Sequence, residues 1–128
     1  MTERGSVFPA AAGLMAILAT LALATAELGV LYAARESAAN GADAAALAAA
    51  VATYPAAGSG RAPAAAAEAA AAANGVVVLA CDCPVDSGMT PRVVIVVTST
   101  EADLPLLGRV TVRARARAEF DPLRWLGD

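Results

Sequence analysis

The sequence predicts an α+β protein: a long N-terminal membrane-spanning helix, then a small head with an Ala-rich helix on a three-stranded antiparallel sheet. Three observations predict it. Residues 5–26 carry no charge, residues 27–54 continue a helical pattern, and residues beyond 76 switch to the two-residue period of strands. A length of 128 residues fits one modest domain, or a membrane segment plus a small domain. Three regions are expected: a tail and transmembrane helix over 1–34, a helix extension and linker over 35–60, and an extracytoplasmic head over 61–128.

Composition narrows the function. Alanine supplies 37 residues, and the chain is 59% hydrophobic but only 4% aromatic, so its packing must rely on close approach rather than bulk. A formal charge of −3 speaks against a general nucleic-acid binder. Histidine is absent, which removes Ser-His-Asp, Cys-His and His-ligated metal schemes. All nine basic residues are Arg, so Schiff-base, Ser-Lys and Walker-type phosphate chemistry is also excluded. Carboxylates are plentiful, yet so few large side chains leave little material for a shaped pocket. No enzyme, cofactor, metal or small-molecule substrate is expected.

The first helix follows from its length and charge pattern. Gly5 to Ala26 is a charge-free run of 22 residues, about 33 Å as a helix and enough for a hydrocarbon core of about 30 Å. Leu14, Ile17, Leu18, Leu21 and Leu23 supply most of its hydrophobicity, and Pro9 sits in the first turns, where a missing donor costs little. Arg4 before the run and Arg35 beside Glu36 after it give a slight positive-inside bias, with the N-terminus cytoplasmic. Two other readings compete. Ala24-Thr25-Ala26 is an A-x-A site like that of a secretory signal peptide, although the run exceeds the usual 7–15-residue apolar region and Arg4 is a thin preceding charge. A buried helix of a soluble protein is the third. Within the run, Ala10, Gly13, Ala16, Thr20 and Ala24 form a stripe of small residues at spacings of three and four, suited to close helix docking in lipid.

Beyond Ala26 the helical pattern continues to a break at Pro55. Leu28, Leu31 and Tyr32 share one face, Leu47, Val51 and Tyr54 another stretch of face, and a kink is expected near Asn40-Gly41. Tyr32 suits an interfacial anchor. Glu27, at the outer end of the apolar run, is expected to reach interfacial water rather than to pair with Arg35 or a neighbouring subunit.

Glu27-Leu28-Gly29, then Tyr32 and Arg35, then Gly41-Ala42-Asp43-Ala44-Ala45-Ala46-Leu47-Ala48-Ala49-Ala50 form a pattern. It resembles the N-terminal module of the TadE/TadG-like proteins of tight-adherence (Flp-type) pilus systems. The resemblance spans residues 4 to about 54, and Glu27, Gly29, Tyr32, Arg35, Asp43 and Leu47 are its motif positions. It implies a membrane helix opened by a glycine and closed by an acidic-x-Gly step. Pilin-like precursors are cut after a glycine by a prepilin peptidase, which would place processing between Gly5 and Ser6. The Glu usual five residues into the mature chain is Ala10 here. The chain is too short for the long adhesive or von Willebrand-type region of larger relatives, and is similar to the short actinobacterial members.

The head is built from turn chemistry, one helix and three strands. Pro55-Ala56-Ala57-Gly58-Ser59-Gly60 is a linker, Pro63 opens a helix over Ala64–Ala73, and Asn74-Gly75 supplies a left-handed stop. Residues 76–80, 93–98 and 110–118 read as strands. In the last, Val110, Val112, Ala114, Ala116, Ala118 and Phe120 point one way, and Arg109, Arg113, Arg115 and Arg117 the other. The small inward side chains call for a closely approaching cover, and the 64–73 helix is the expected one.

Two features of the head bear on chemistry. Cys81 and Cys83 are too few for a closed zinc site and lack redox C-x-x-C spacing. Outside the cytoplasm they are expected to be oxidised, yet an i,i+2 bridge in an extended strand sits near the Cα limit of about 6.8 Å. A local bridge, an intermolecular bridge and two free thiols stay open. The Arg ladder reads as a solvated sheet face pairing loosely with Glu101, Asp103 or Glu119, with an acidic polymer as the rival partner. The expected function is structural: a minor pilin-like (pseudopilin) component of a tight-adherence pilus or related secretion system. Its partners are membrane lipid and other pilus or secretion-system subunits. The alternative is a secreted binding domain released by signal peptidase after Ala26.

Overall fold

The computed structural model describes residues 7–57, 60–85 and 88–127. Helix α1 (Val7–Ala52) is a single element of 46 residues, about 69 Å long at 1.5 Å per residue. A 3₁₀ turn at Pro55–Ala57 leads to α2 (Pro63–Ala73), and strands β1 (Val77–Asp82), β2 (Arg92–Leu104) and β3 (Gly108–Phe120) follow. The chain's described part ends in the short helix α3 (Pro122–Gly127). The strands form one antiparallel sheet in the order β1-β2-β3. The architecture is α+β, as the sequence predicts.

The helix that covers the sheet differs from expectation. Ala116 and Ala118 of β3 share a core with Ala42, Ala45, Ala46, Ala49 and Ala50 of α1 and with Val94 and Val96 of β2. The cover is therefore the second half of α1, while α2 packs on α1 and on β1. The reason is length. From Glu27 to Ala52, α1 runs about 40 Å, and a 13-residue strand runs about 43 Å, so helix and hairpin match end to end. The 11-residue α2 spans well under half of that. The hairpin is also longer than the β-branched runs suggest, because Ser99–Leu104 pairs in register with Arg113–Gly108.

Close approach is achieved by removing side chains. Ala38, Ala42, Ala45, Ala46 and Ala49 of α1 are each no more than 1% exposed. Gly41 goes one step further: a Cβ there would overlap Cγ2 of the buried Val76. The helix is unbroken through Asn40 and Gly41, so this glycine serves packing where a kink is expected. Thr98, fully buried, adds a bond between layers by donating from Oγ1 to the Ala38 carbonyl at 2.9 Å. The expected Leu47–Val51–Tyr54 face does not form. α1 ends at Ala52, Tyr54 turns into the core, and Leu47 and Val51 stay 63% and 42% exposed.

α2 begins and ends as its sequence dictates. Pro63 occupies the first turn. At the other end Val76 N–H donates to the Ala71 carbonyl and Gly75 N–H to Ala72, with Gly75 at φ +70°, the paired bonds of a Schellman stop. The same stop drops Val76 onto Ala71 and starts the sheet.

The alternation on β3 gives a direct test. Ala116 is buried among the α1 alanines whereas Arg115 faces solvent. Ala116→Leu should cost about 1–3 kcal/mol by overpacking, and Arg115→Leu should cost little. Equal losses in denaturant unfolding would mean the two faces are misassigned.

Candidate functional site

α1 changes character at one residue. From Phe8 to Ala26 every side chain is exposed, including Leu14, Met15, Ile17, Leu18, Leu21 and Leu23 at 45–72%. This helix is the one candidate membrane span among the described residues, long and apolar enough to cross a bilayer. The two hydroxyls in the stretch are turned inward onto the helix itself: Thr20 Oγ1 donates to the Ala16 carbonyl at 2.8 Å and Thr25 Oγ1 to Ala22 at 2.9 Å. Polar hydrogens satisfied within the helix are what an apolar medium demands. Ala10, Gly13, Ala16, Thr20 and Ala24 all lie on this exposed stretch, and the space around Gly13 is open.

At Glu27 burial begins. The Glu27 side chain is not in open water, contrary to expectation; the residue is 9% exposed. The connection between β2 and β3 closes over it, and the Leu106 backbone N–H donates to Glu27 Oε1. Oε2 is buried and meets no hydrogen-bond donor among the described residues. The connection is three residues long, Pro105, Leu106 and Leu107, and Gly108 ends it in the left-handed region at φ +73°. This tip is the site that sequence reasoning missed. Its signal was present, a Pro-Leu-Leu-Gly step between two alternating strands, but nothing in the sequence places that step against residue 27.

The remaining motif positions face away from the sheet. Gly29 has open space around it, and Tyr32, Arg35, Asp43 and Leu47 are exposed. Leu28, Leu31, Tyr32 and Arg35 line one shallow surface hollow. Of the six motif residues only Glu27 is buried, so the pattern marks the outer surface of α1 more than its packing. Gly5 and Ser6, where peptidase processing is expected, lie outside the described residues.

Elsewhere the head carries pairs rather than a reaction centre. Cys81 and Cys83 are joined through their sulfurs over a Cα separation of 5.3 Å, with Cys83 just past the end of β1. On the Arg ladder, Arg109 Nε lies 3.0 Å from Asp103 Oδ1 and 3.5 Å from Glu101, and Arg117 lies 4.0 Å from Glu119. The hydrogen bond to Asp103 and the two neighbouring carboxylates raise the Arg109 pKa above its ordinary value. These side chains are more than half exposed, so each pair contributes little to stability. At the end of the hairpin remote from Glu27, Tyr54, Phe120 and Trp125 cluster at ring distances of 6.0–6.5 Å, with the Arg92 guanidinium 5.6 Å from the Tyr54 ring centre. No group of three or more potential metal ligands converges among the described residues.

The geometry is that of an exposed apolar rod continued by a helix locked into a small head, and the six motif residues sit on that continuation, five of them exposed. No curated protein and no solved structure matches the chain. A family model does over part of it: residues 5–52, which take in the whole of α1, are similar to the family described as putative Flp pilus-assembly TadE/G-like.

Proposed function

We propose that the chain is a single-pass, minor pilin-like component of a tight-adherence (Flp-type) pilus or a related secretion system. Residues 7–26 hold it in the membrane, the N-terminus is cytoplasmic and the head is outside. One observation carries this reading: the stretch without charge is also the stretch without burial, and both end at Glu27. A soluble protein does not leave five turns of apolar helix in water. Its role is structural, because exposed helix, small head and the TadE/G-like match all favour subunit contacts over chemistry. In an oxidising compartment the Cys81–Cys83 bridge persists and clips the end of β1.

The anchor is tested by alkaline carbonate extraction and by a C-terminal reporter. Retention in the membrane pellet, with a reporter active only outside the cytoplasm, is the expected result. Activity of a cytoplasm-only reporter would reverse the orientation. A second reading draws on the same boundary. Cleavage after Ala26, at the Ala24-Thr25-Ala26 site, would free a head that keeps every buried residue from Glu27 onward. N-terminal sequencing of the mature protein separates the two: a chain starting at Glu27 has lost its anchor, whereas one starting at Met1 or Ser6 keeps it.

Assembly is assigned to the small-residue stripe. Lipid gives apolar helices no hydrophobic reason to associate, so close packing must do it. Gly13→Leu should leave insertion intact and lower in-membrane crosslinking to neighbouring subunits. An unchanged crosslinking yield would reduce the helix to a simple anchor.

A further inference from the structure

We propose that the tip of the β2–β3 hairpin, Leu106 and Leu107, is a second membrane contact, seated in the lipid interface beside α1 and held there by Glu27. The proposal rests on the anchored reading of α1 and adds a contact which that reading does not require.

The tip's height along α1 is fixed by an atom-to-atom contact, the Leu106 N–H donating to Glu27 Oε1. Twenty residues, 7–26, fill about 30 Å of hydrocarbon at helical rise, which puts residue 27 and hence the tip at the edge of the bilayer core. At that level the hairpin presents its largest exposed apolar side chains: Leu106 is 67% and Leu107 75% exposed. Their neighbours are apolar too. Leu104 is buried at 5%, Pro105 and Gly108 flank the pair, and Leu28 on α1 is 66% exposed one residue beyond Glu27.

Charge begins only farther back. The nearest ionised groups on the hairpin are Asp103 and Arg109, bonded to each other at 3.0 Å, and Arg109 stands two residues behind Leu107, about 7 Å along the strand. The tip can therefore sink several ångströms into the interface before a charge is desolvated, and the first charges to arrive are already paired. A loop entering that region must also satisfy its backbone donors. Glu27 does this for Leu106, which gives the buried carboxylate a purpose at a position where burial would otherwise be costly. A docking protein has no reason to meet the hairpin at this height in particular; lipid is there by geometry.

The experiment uses the full chain reconstituted in phosphatidylcholine vesicles with and without brominated acyl chains, which quench tryptophan on contact. In the wild type the one tryptophan, Trp125, reports the far end of the hairpin. In a Trp125→Phe background, Leu107→Trp and, independently, Leu106→Trp report the tip, and Leu14→Trp reports the helix. Quenching of the tip reporters several-fold above that of Trp125 is expected, together with strong quenching at position 14. Adding Glu27→Ala to the tip reporter should reduce the quenching, and Glu27→Gln, which keeps an acceptor oxygen, should restore much of it. Quenching at position 14 with both tip reporters as silent as Trp125 overturns the tip contact and leaves the anchor standing. A silent position 14 overturns the anchored reading itself, and the tip contact with it.

Discussion

Ala45→Asp should cost the head on the order of 3–5 kcal/mol, whereas Ala39→Asp, six residues earlier on the same helix, should cost almost nothing. Ala45 is 0% exposed and sits in the cluster that joins α1 to Val94, Val96, Ala116 and Ala118. A carboxylate there would have neither water nor a cation, and an uncompensated buried charge is among the most damaging single changes. Ala39 faces solvent, as does the native Asp43 close by, which shows that α1 tolerates acid on that side. A head of this size has a total stability of roughly 5–10 kcal/mol, so the first substitution removes much of it. Trypsin supplies the readout, since β3 carries Arg113, Arg115 and Arg117. These sites resist cleavage while the strand stays paired and open when it does not. Comparable digestion of both variants would mean that α1 does not cover the sheet.

The same alanines explain how much of this protein was legible in its sequence. The strands were, because Val93–Thr98 is β-branched throughout and 110–120 alternates without exception. The Pro63 start and the Asn74-Gly75 stop of α2 were also legible, since each end needs particular residue types. Which helix covers the sheet was not. Burial is usually announced by large apolar side chains at helical spacing, but in α1 Leu28, Tyr32 and Leu47 are exposed, and beyond Glu27 the buried residues are Gly41 and alanines like those around them. An alanine-rich helix carries no periodic signal to say which face is inside. The same ambiguity hid the role of Gly41, which reads as a weak point in a helix and acts as the place where Val76 comes closest. Glu27 was legible as unusual, at the end of a charge-free run. Its partner was not, because a contact between residues 27 and 106 depends on helix and hairpin having equal lengths.

Ile17→Arg should detach the chain from the membrane, and Leu47→Arg should not. Both residues are exposed leucine-like positions on α1, at 60% and 63%, so any difference between them reports their surroundings and not their packing. Position 17 lies at the middle of residues 7–26. Exchanging an isoleucine for an arginine at the centre of a membrane helix costs about 3–4 kcal/mol of insertion, equivalent to a few hundredfold in partitioning. The helix has little reserve to absorb that loss, because much of it is alanine, which adds little to insertion compared with leucine. Leu47 lies well beyond Glu27, alongside the head, where an arginine meets water and the neighbouring Asp43. Carbonate extraction of the two variants is the measurement. Loss of the Ile17→Arg chain from the pellet with retention of Leu47→Arg is the expected pair of results. Retention of both would mean that contacts of the head, rather than lipid around residues 7–26, hold the protein at the membrane.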